Sequence, residues 1–268
     1  MEAGTVSSFG AGAAVATAGR RRVEPVMGTV VSFDIRAGTV PDGVIDDAVA
    51  WLHEVDARFS PHKPTSEISR IGDGTLAEAD AHADVREILA MADALAVDSG
   101  GAFDARAWRT DGRVDPCGIV KGWSIQVAAD RLAAAGLDAF AINAGGDIVT
   151  RGGPVPGVPW RVGVRHPDRP DRVAAVLTVD DGAVATSAAY ERGAHIRDPR
   201  SGRTPGGVRS MTVVGPSLTW ADAYATTAYV LGLDGLDWVA TRDGYDAYAI
   251  RWDDTVLWTP GMDRYLVR

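Results

Sequence analysis

The chain has 268 residues, 46% hydrophobic and 24% charged, enough apolar material for one large globular core or two small ones. A formal net charge of −9 argues against binding nucleic acid by phosphate neutralisation, and no apolar run reaches the roughly 18–20 residues of a spanning helix. A single cysteine, Cys117, excludes an intramolecular disulfide and a cysteine-cluster metal site. The histidines at 53, 62, 82, 166 and 195 lack the H-x-x-x-H spacing of a zinc hydrolase, so a metal would rest on oxygen ligands, Mg²⁺ or Ca²⁺ first.

Residues 1–22 are small and polar and close in Arg20-Arg21-Arg22, which reads as a disordered tail. Their charges follow the small residues and no leucine-rich core lies between, so they make a poor signal peptide. The expectation is a cytoplasmic protein. From Val23 onward a single folded domain is expected, running to the C-terminus.

Val31, Phe33 and Ile35 alternate with polar residues, predicting a strand over 26–36. Over 44–59, Val44, Ala48, Trp51, Leu52, Val55 and Phe59 share a helix face, with Asp42 as the expected cap. A second helix over 85–98 is led by Asp84 and Glu87 in the manner of a capping box. A third covers 122–135 and stops at Gly136. Short strands follow at 139–143, 147–150, 160–165, 173–180, 183–187 and 208–214, with a Gly/Pro connection at 152–159. Helices at 220–232 and 234–241 precede strands at 246–251 and 255–258. The absence of regular βαβ alternation predicts an α+β fold of mixed, largely antiparallel sheets with packed helices.

Four polar clusters interrupt this patterning. Met27-Gly28-Thr29 reads as a strand entrance. Asp115, Gly118 and Lys121, three apart and running into a helix, suit either an anion beside a helix N-terminus or an ordinary capped loop. Asn143-Ala-Gly145-Gly146-Asp147 is a tight hairpin or a place of close ligand approach, and both readings are compatible. The fourth cluster pairs His195 and Asp198 with Asp222 and Thr226. Asp222 and Thr226 are i and i+4, so a carboxylate and a hydroxyl share one helix face, which suits a hard cation. The plainer reading is a helix-start aspartate and a solvated threonine. His195 has the chemistry of a general base, although a lone histidine is more often structural. Cys117 is expected to be small and buried, and Trp123 to be core or pocket wall. The chain carries 25 arginines and only two lysines, Lys63 and Lys121, so a retained lysine invites the question of what only a compact ammonium can do.

In this order the clusters resemble the FAD:protein FMN transferase family, the ApbE-like flavin transferases. The matching residues are Met27-Gly28-Thr29, the segments at 59–70 and 101–104, 115–122, 143–147, Ala185-Thr186-Ser187, Tyr190 and Arg192, 195–199 with Gly202, and 221–226. The resemblance implies the ApbE-like fold and binding of FAD and a divalent cation, usually Mg²⁺. It implies transfer of the FMN half of FAD to a threonine or serine hydroxyl of an acceptor protein, with AMP released. By position it makes Asp222 and Thr226 metal ligands, joined by the backbone carbonyls of Gly118 and Ala225. It sets Met27, His62, Ala102, Phe103, Asp104, Asp115, Lys121 and Arg197 against FAD, and makes His195 the base, with Asp222 at the catalytic centre. The partners implied are FAD and an acceptor flavoprotein, with no nucleic acid and no integral membrane segment.

The sequence departs from the family pattern at Gly72, where Asn is common, at His62, where an aromatic is common, and at Ala188, where Gly is frequent. Only ten residues separate Asp104 from Asp115, where many members carry more. Two other functions use the same groups: a metal-dependent FAD pyrophosphatase giving FMN and AMP, and a non-catalytic FAD-binding module.

Overall fold

The computed structural model describes residues 19–36, 38–107, 109, 111–169, 171–188 and 196–267. Its strands are β1 (Arg20–Val26), β2 (Thr29–Ile35), β3 (Phe140–Ala144), β4 (Asp147–Arg151), β5 (Trp160–Arg165), β6 (Val173–Val179), β7 (Gly182–Ala188), β8 (Ser210–Gly215), β9 (Asp246–Ile250) and β10 (Val256–Trp258). Its helices are α1 (Val44–Phe59), α2 (Glu67–Gly72), α3 (Ala83–Asp98), α4 (Cys117–Ala134), α5 (Leu218–Leu231) and α6 (Asp234–Ala240), with short 3₁₀ turns at Glu78–Asp80 and Pro260–Arg264. Eight strands form one sheet in the order β1-β2-β3-β4-β7-β8-β9-β10, every neighbouring pair antiparallel, while β5 and β6 make a separate hairpin. The α+β, largely antiparallel expectation holds. Among the described residues no helix is long and apolar enough to cross a membrane.

The strand alternation sorts side chains onto the two faces of this sheet. Val31, Phe33 and Ile35 of β2, Ile142 of β3, Ala185 of β7 and Val213 of β8 face the helices. With Leu52, Val55, Ile88, Ile119, Ile125 and Leu132 they form the main core. Ile148, Val184, Val214, Tyr248 and Ile250 point the other way. There they meet Val162, Val164, Leu177 and Val179 of the β5–β6 hairpin and Met262 of the second 3₁₀ turn. Each fully buried aliphatic or phenyl side chain contributes roughly 1.5–3 kcal/mol. α5 lies against α4, α6 and strands β7 and β8, and eleven of its fourteen residues are buried. Such a helix carries almost no polar face. Its buried polar residues are one aspartate, Asp222, and three threonines, Thr219, Thr226 and Thr227, and the buried carboxylate stands out.

Four sequence expectations change in the structure. The three arginines placed in the tail open β1, which pairs along its whole length with β2. An edge strand studded with exposed charge resembles a solvated tail in composition, because charge is how edge strands avoid pairing with other chains. The N-cap of α1 is Gly43, not Asp42, with φ 79° and no side-chain cap. α3 begins at Ala83, capped by His82, whose Nδ1 accepts the Asp84 N–H at 3.2 Å; the Asp84 carboxylate instead pairs with Arg58 at 2.6 Å. α4 begins at Cys117, five residues earlier than expected, so Gly118, Lys121 and Gly122 belong to its first two turns.

Candidate functional site

The sheet, α4 and α5 meet at one buried polar cluster. Asp147 is the first residue of β4, directly after the Gly145-Gly146 turn, and is 2% exposed. Its alternation with Val149 turns it toward the helices. One carboxylate oxygen, Oδ1, accepts the Thr186 N–H of β7 at 3.1 Å. The other, Oδ2, is buried against the Lys121 ammonium, with which it forms an ion pair. Asp222 of α5 is 4% exposed. Its Oδ2 accepts the Gly122 N–H at 2.9 Å, and its Oδ1 lies 3.4 Å from the same Lys121 Nζ. Each carboxylate therefore has one oxygen fixed by a backbone N–H and one turned to a shared ammonium. Burial pushes the Asp222 carboxyl up to about 7. The Lys121 charge opposes that rise and the Asp147 charge adds to it.

Close helix packing makes this cluster possible. A Cβ at Gly122 would sit 2.7 Å from the Asp222 Cβ and closer still to the Leu218 carbonyl, so only glycine lets α4 and α5 approach here. One turn away, Gly118 faces Thr226 and Phe103. A Cβ there would lie 3.8 Å from Thr226 Cγ2 and 2.9 Å from Phe103 Cε2. Thr226 is buried rather than solvated, and its hydroxyl pairs with Ser187 Oγ at 3.1 Å. Ala225 is fully buried beside it on α5.

Gly118, Lys121, Asp222 and Thr226, four of the residues singled out in the sequence, thus converge from two helices. Phe103 packs against Gly118, and Ala102 before it is fully buried. Met27 joins from the β1–β2 turn, where it adopts φ 54° and its Sδ accepts from Ser124 Oγ of α4 at 3.6 Å. The β3–β4 hairpin lies alongside this turn. Gly145 has φ 62°, and a Cβ there would lie 2.5 Å from Thr29 Oγ1, so the glycine pair serves both the tight turn and the close approach. The Asn143 side chain closes that turn by accepting the Gly146 N–H at 2.9 Å.

The remaining candidates lie on loops. Asp104 Oδ1 accepts the Arg106 and Ala107 N–H groups at 2.7 and 3.1 Å, and Asp115 Oδ1 accepts the Cys117 N–H at 3.1 Å. The shortened segment between them is closed at its base, where the Asp115 N–H donates to the Ala105 carbonyl at 2.8 Å. Arg106 anchors it to Asp93 and Glu78. Arg197 is exposed and donates to the Gly202 carbonyl at 3.3 Å; the neighbouring Arg200 side chain covers Gly101. His62 is exposed on the turn after α1, and Pro61 beside it shares a crevice with Arg113 and Val114. His195, with Tyr190 and Arg192, lies outside the described residues.

Cys117 is exposed, against expectation, because it occupies the outward side of the first turn of α4. Trp123 packs on Trp51 and Phe59, with ring centroids 5.2 and 5.4 Å apart, as a core wall. Of the two lysines, Lys121 is in the cluster, while Lys63 pairs at the surface with Asp56 at 2.6 Å. Asp147 is the group that sequence reasoning left unassigned. The available signal is a charge directly after a glycine pair, two residues before the apolar Val149 on the same face of the strand.

Among the described residues no three His, Cys, Asp or Glu side chains converge as a metal site. The donors at hand are one carboxylate, one hydroxyl and backbone carbonyls, all hard oxygens that fit a cation such as Mg²⁺. With Asp222 ionised, two buried carboxylates sharing one ammonium carry one net negative charge, which a divalent cation would turn positive toward an anionic ligand.

The model of the ApbE family matches residues 27–109 and 107–249. A FAD:protein FMN transferase of Vibrio cholerae is 34% identical over 158 residues, spanning 51% of this chain and 47% of that protein. One of Salmonella typhimurium is 26% identical over 238 residues, spanning 85% of this chain and 65% of that protein. The chain therefore covers between about half and two thirds of the length of these relatives. Among solved structures, the flavin transferase ApbE from Vibrio cholerae superposes with a TM-score of 0.79 at 22% identity, covering 92% of this chain and all of that one. An ApbE protein from Thermotoga maritima superposes with a TM-score of 0.83 at 21% identity, covering 93% of this chain and all of that one. At such identities the likeness speaks for the fold.

Proposed function

The chain belongs to the ApbE family, and from that premise we propose that it is a FAD:protein FMN transferase, moving the FMN half of FAD onto a threonine or serine hydroxyl of an acceptor protein and releasing AMP. The observation that carries this reading is the buried meeting of Asp222, Thr226, Gly118 and Lys121 between α4 and α5. It combines oxygen donors for a cation with an ammonium for phosphate. Relatives named as FAD:protein FMN transferases support the same activity.

In this reading Asp222, Thr226 and the carbonyls of Gly118 and Ala225 would hold Mg²⁺. When bound, the cation supplies charge neutralisation at the pyrophosphate. Lys121 adds a point charge for the same phosphates. Met27, His62, Ala102, Phe103, Asp104, Asp115 and Arg197 would contact FAD, with His62 and Arg197 reaching it from the surface. The acceptor oxygen forms a bond to the phosphorus on the FMN side, and the bond from that phosphorus to the bridging oxygen breaks. AMP leaves with the bonding pair, and His195 takes the acceptor's proton. The alternative, hydrolysis of FAD to FMN and AMP, needs only water in place of the acceptor. The departure that favours it is Gly72, against which the Arg113 side chain packs, 3.3 Å from where a Cβ would stand.

Intact mass spectrometry of an acceptor domain, incubated with this protein, FAD and Mg²⁺ beside an EDTA control, tests the reading. A metal-dependent gain of one FMN less water is the expected result. FMN and AMP released with no gain of mass would replace the transferase by the pyrophosphatase. Intact FAD bound in stoichiometric amount, with a panel of acceptors left unmodified, would leave a flavin-binding module.

A further inference from the structure

The ammonium of Lys121 sits between two buried carboxylates, Asp147 and Asp222, and the two contacts are unequal. It is in direct contact with Asp147 Oδ2 and stands 3.4 Å from Asp222 Oδ1. That second oxygen is the one a cation would need, because Asp222 Oδ2 is already engaged by the Gly122 N–H. From this geometry we infer that Asp147 is a positioning residue for the lysine. It holds the ammonium to one side, so that a divalent cation can take Asp222 while Lys121 stays in the site facing the phosphates. The inference rests on the cation site of the proposed function and assigns a role to a residue which that proposal leaves idle.

The physical argument is competition for one oxygen. A cation arriving at Asp222 Oδ1 meets an ammonium that already neutralises part of the carboxylate charge. Were Asp147 absent, Asp222 would be the remaining buried carboxylate beside Lys121 among the described residues, and the ammonium would be drawn onto it. Asp147 is well built to prevent this. It is 2% exposed, its other oxygen is locked by the Thr186 N–H, and it stands on a strand in the middle of the sheet, where it cannot swing away. A fixed carboxylate on a rigid element holds a flexible lysine better than one on a loop would. Lys121 and Asp147 remain paired with each other when the cation is absent, which spares the core an isolated buried ammonium.

The test measures Mn²⁺ binding to the full chain by electron paramagnetic resonance without nucleotide, alongside FMN transfer with Mg²⁺ and FAD. Lys121→Met removes the competing charge, so Mn²⁺ binds at least tenfold tighter even as FMN transfer falls at least tenfold. A general loss of structure would lower both, so the opposed changes separate the two explanations. Asp147→Asn keeps the acceptor for the Thr186 N–H but releases the lysine onto Asp222, so Mn²⁺ binds about tenfold more weakly. Circular dichroism melts identify any variant that has lost its fold, and each substitution is a separate test. Mn²⁺ binding that is unchanged or weaker in folded Lys121→Met overturns the inference, as does unchanged or tighter binding in folded Asp147→Asn. If the wild-type protein binds no Mn²⁺, the cation site and this inference fall together. If the opposed Mn²⁺ shifts appear in a protein that transfers no flavin to any acceptor, the inference stands and the transferase reading fails.

Discussion

Replacing Gly122 by alanine would force apart the two helices that build the site. The added methyl would lie 2.7 Å from the Asp222 Cβ and nearer still to the Leu218 carbonyl oxygen, about 1 Å inside the usual separation of non-bonded carbons. Neither neighbour can move aside: one is main chain, and the other is the first side-chain carbon of a buried residue. Over-packing of this kind costs about 1–3 kcal/mol. As α5 moves away, the 2.9 Å hydrogen bond from the Gly122 N–H to the Asp222 carboxylate is lost, adding about 1.5–3 kcal/mol for a bond to a charged group. The better helix propensity of alanine returns about 1 kcal/mol. The net expectation is a loss of about 3 kcal/mol, read as a fall in the urea midpoint at constant m in EDTA at pH 8, where Asp222 is ionised. Gly206→Ala is the control, since a methyl there meets nothing within 4 Å at an ordinary φ, and its effect should stay within about 0.5 kcal/mol. If Gly122→Ala is as mild as the control, the close approach of α4 and α5 does not hold the site together.

The raised Asp222 carboxyl makes stability depend on pH. The folded state keeps the proton up to about 7, whereas the unfolded chain releases it near 3.8. The folded state thus binds more protons across that window, and this group's contribution to stability falls as pH rises through it. Urea midpoints of metal-free protein at pH 5 and pH 8 should show the decline, and Asp222→Asn should flatten it. In the assay, Asp222→Ala should abolish metal-dependent turnover, because it removes the only charged ligand proposed; retained Mg²⁺-dependent transfer would remove that assignment. His195→Ala should lower kcat by at least 100-fold, the low end of about 10²–10⁴ for a general base, with little change in KM for FAD. A change confined to KM would make His195 a binding residue instead.

Local chemistry determined much of this protein from the sequence. Helical spacing in 44–59 and alternation in 29–35 record which side of each element is apolar, and burial follows that record. Asp222 and Thr226 were legible as a pair because i and i+4 lie on one face of any α-helix. What escaped depended on contacts between distant segments. The start of α4 reads late in the sequence because glycine, here Gly118, is a poor helix former on its own; in the fold Gly118 lies in the helix, close against Phe103. β1 reads as a charged tail until β2 supplies its hydrogen-bond partners. Asp147 lies at the end of a hairpin turn, and its distance in the chain from both Lys121 and Asp222 leaves no spacing that could announce the cluster. Only the folding of α4 and α5 onto the sheet places one ammonium between two buried carboxylates. The sequence records the types of group available for chemistry, while the electrostatics of the site come from burial and separation, which belong to the tertiary structure.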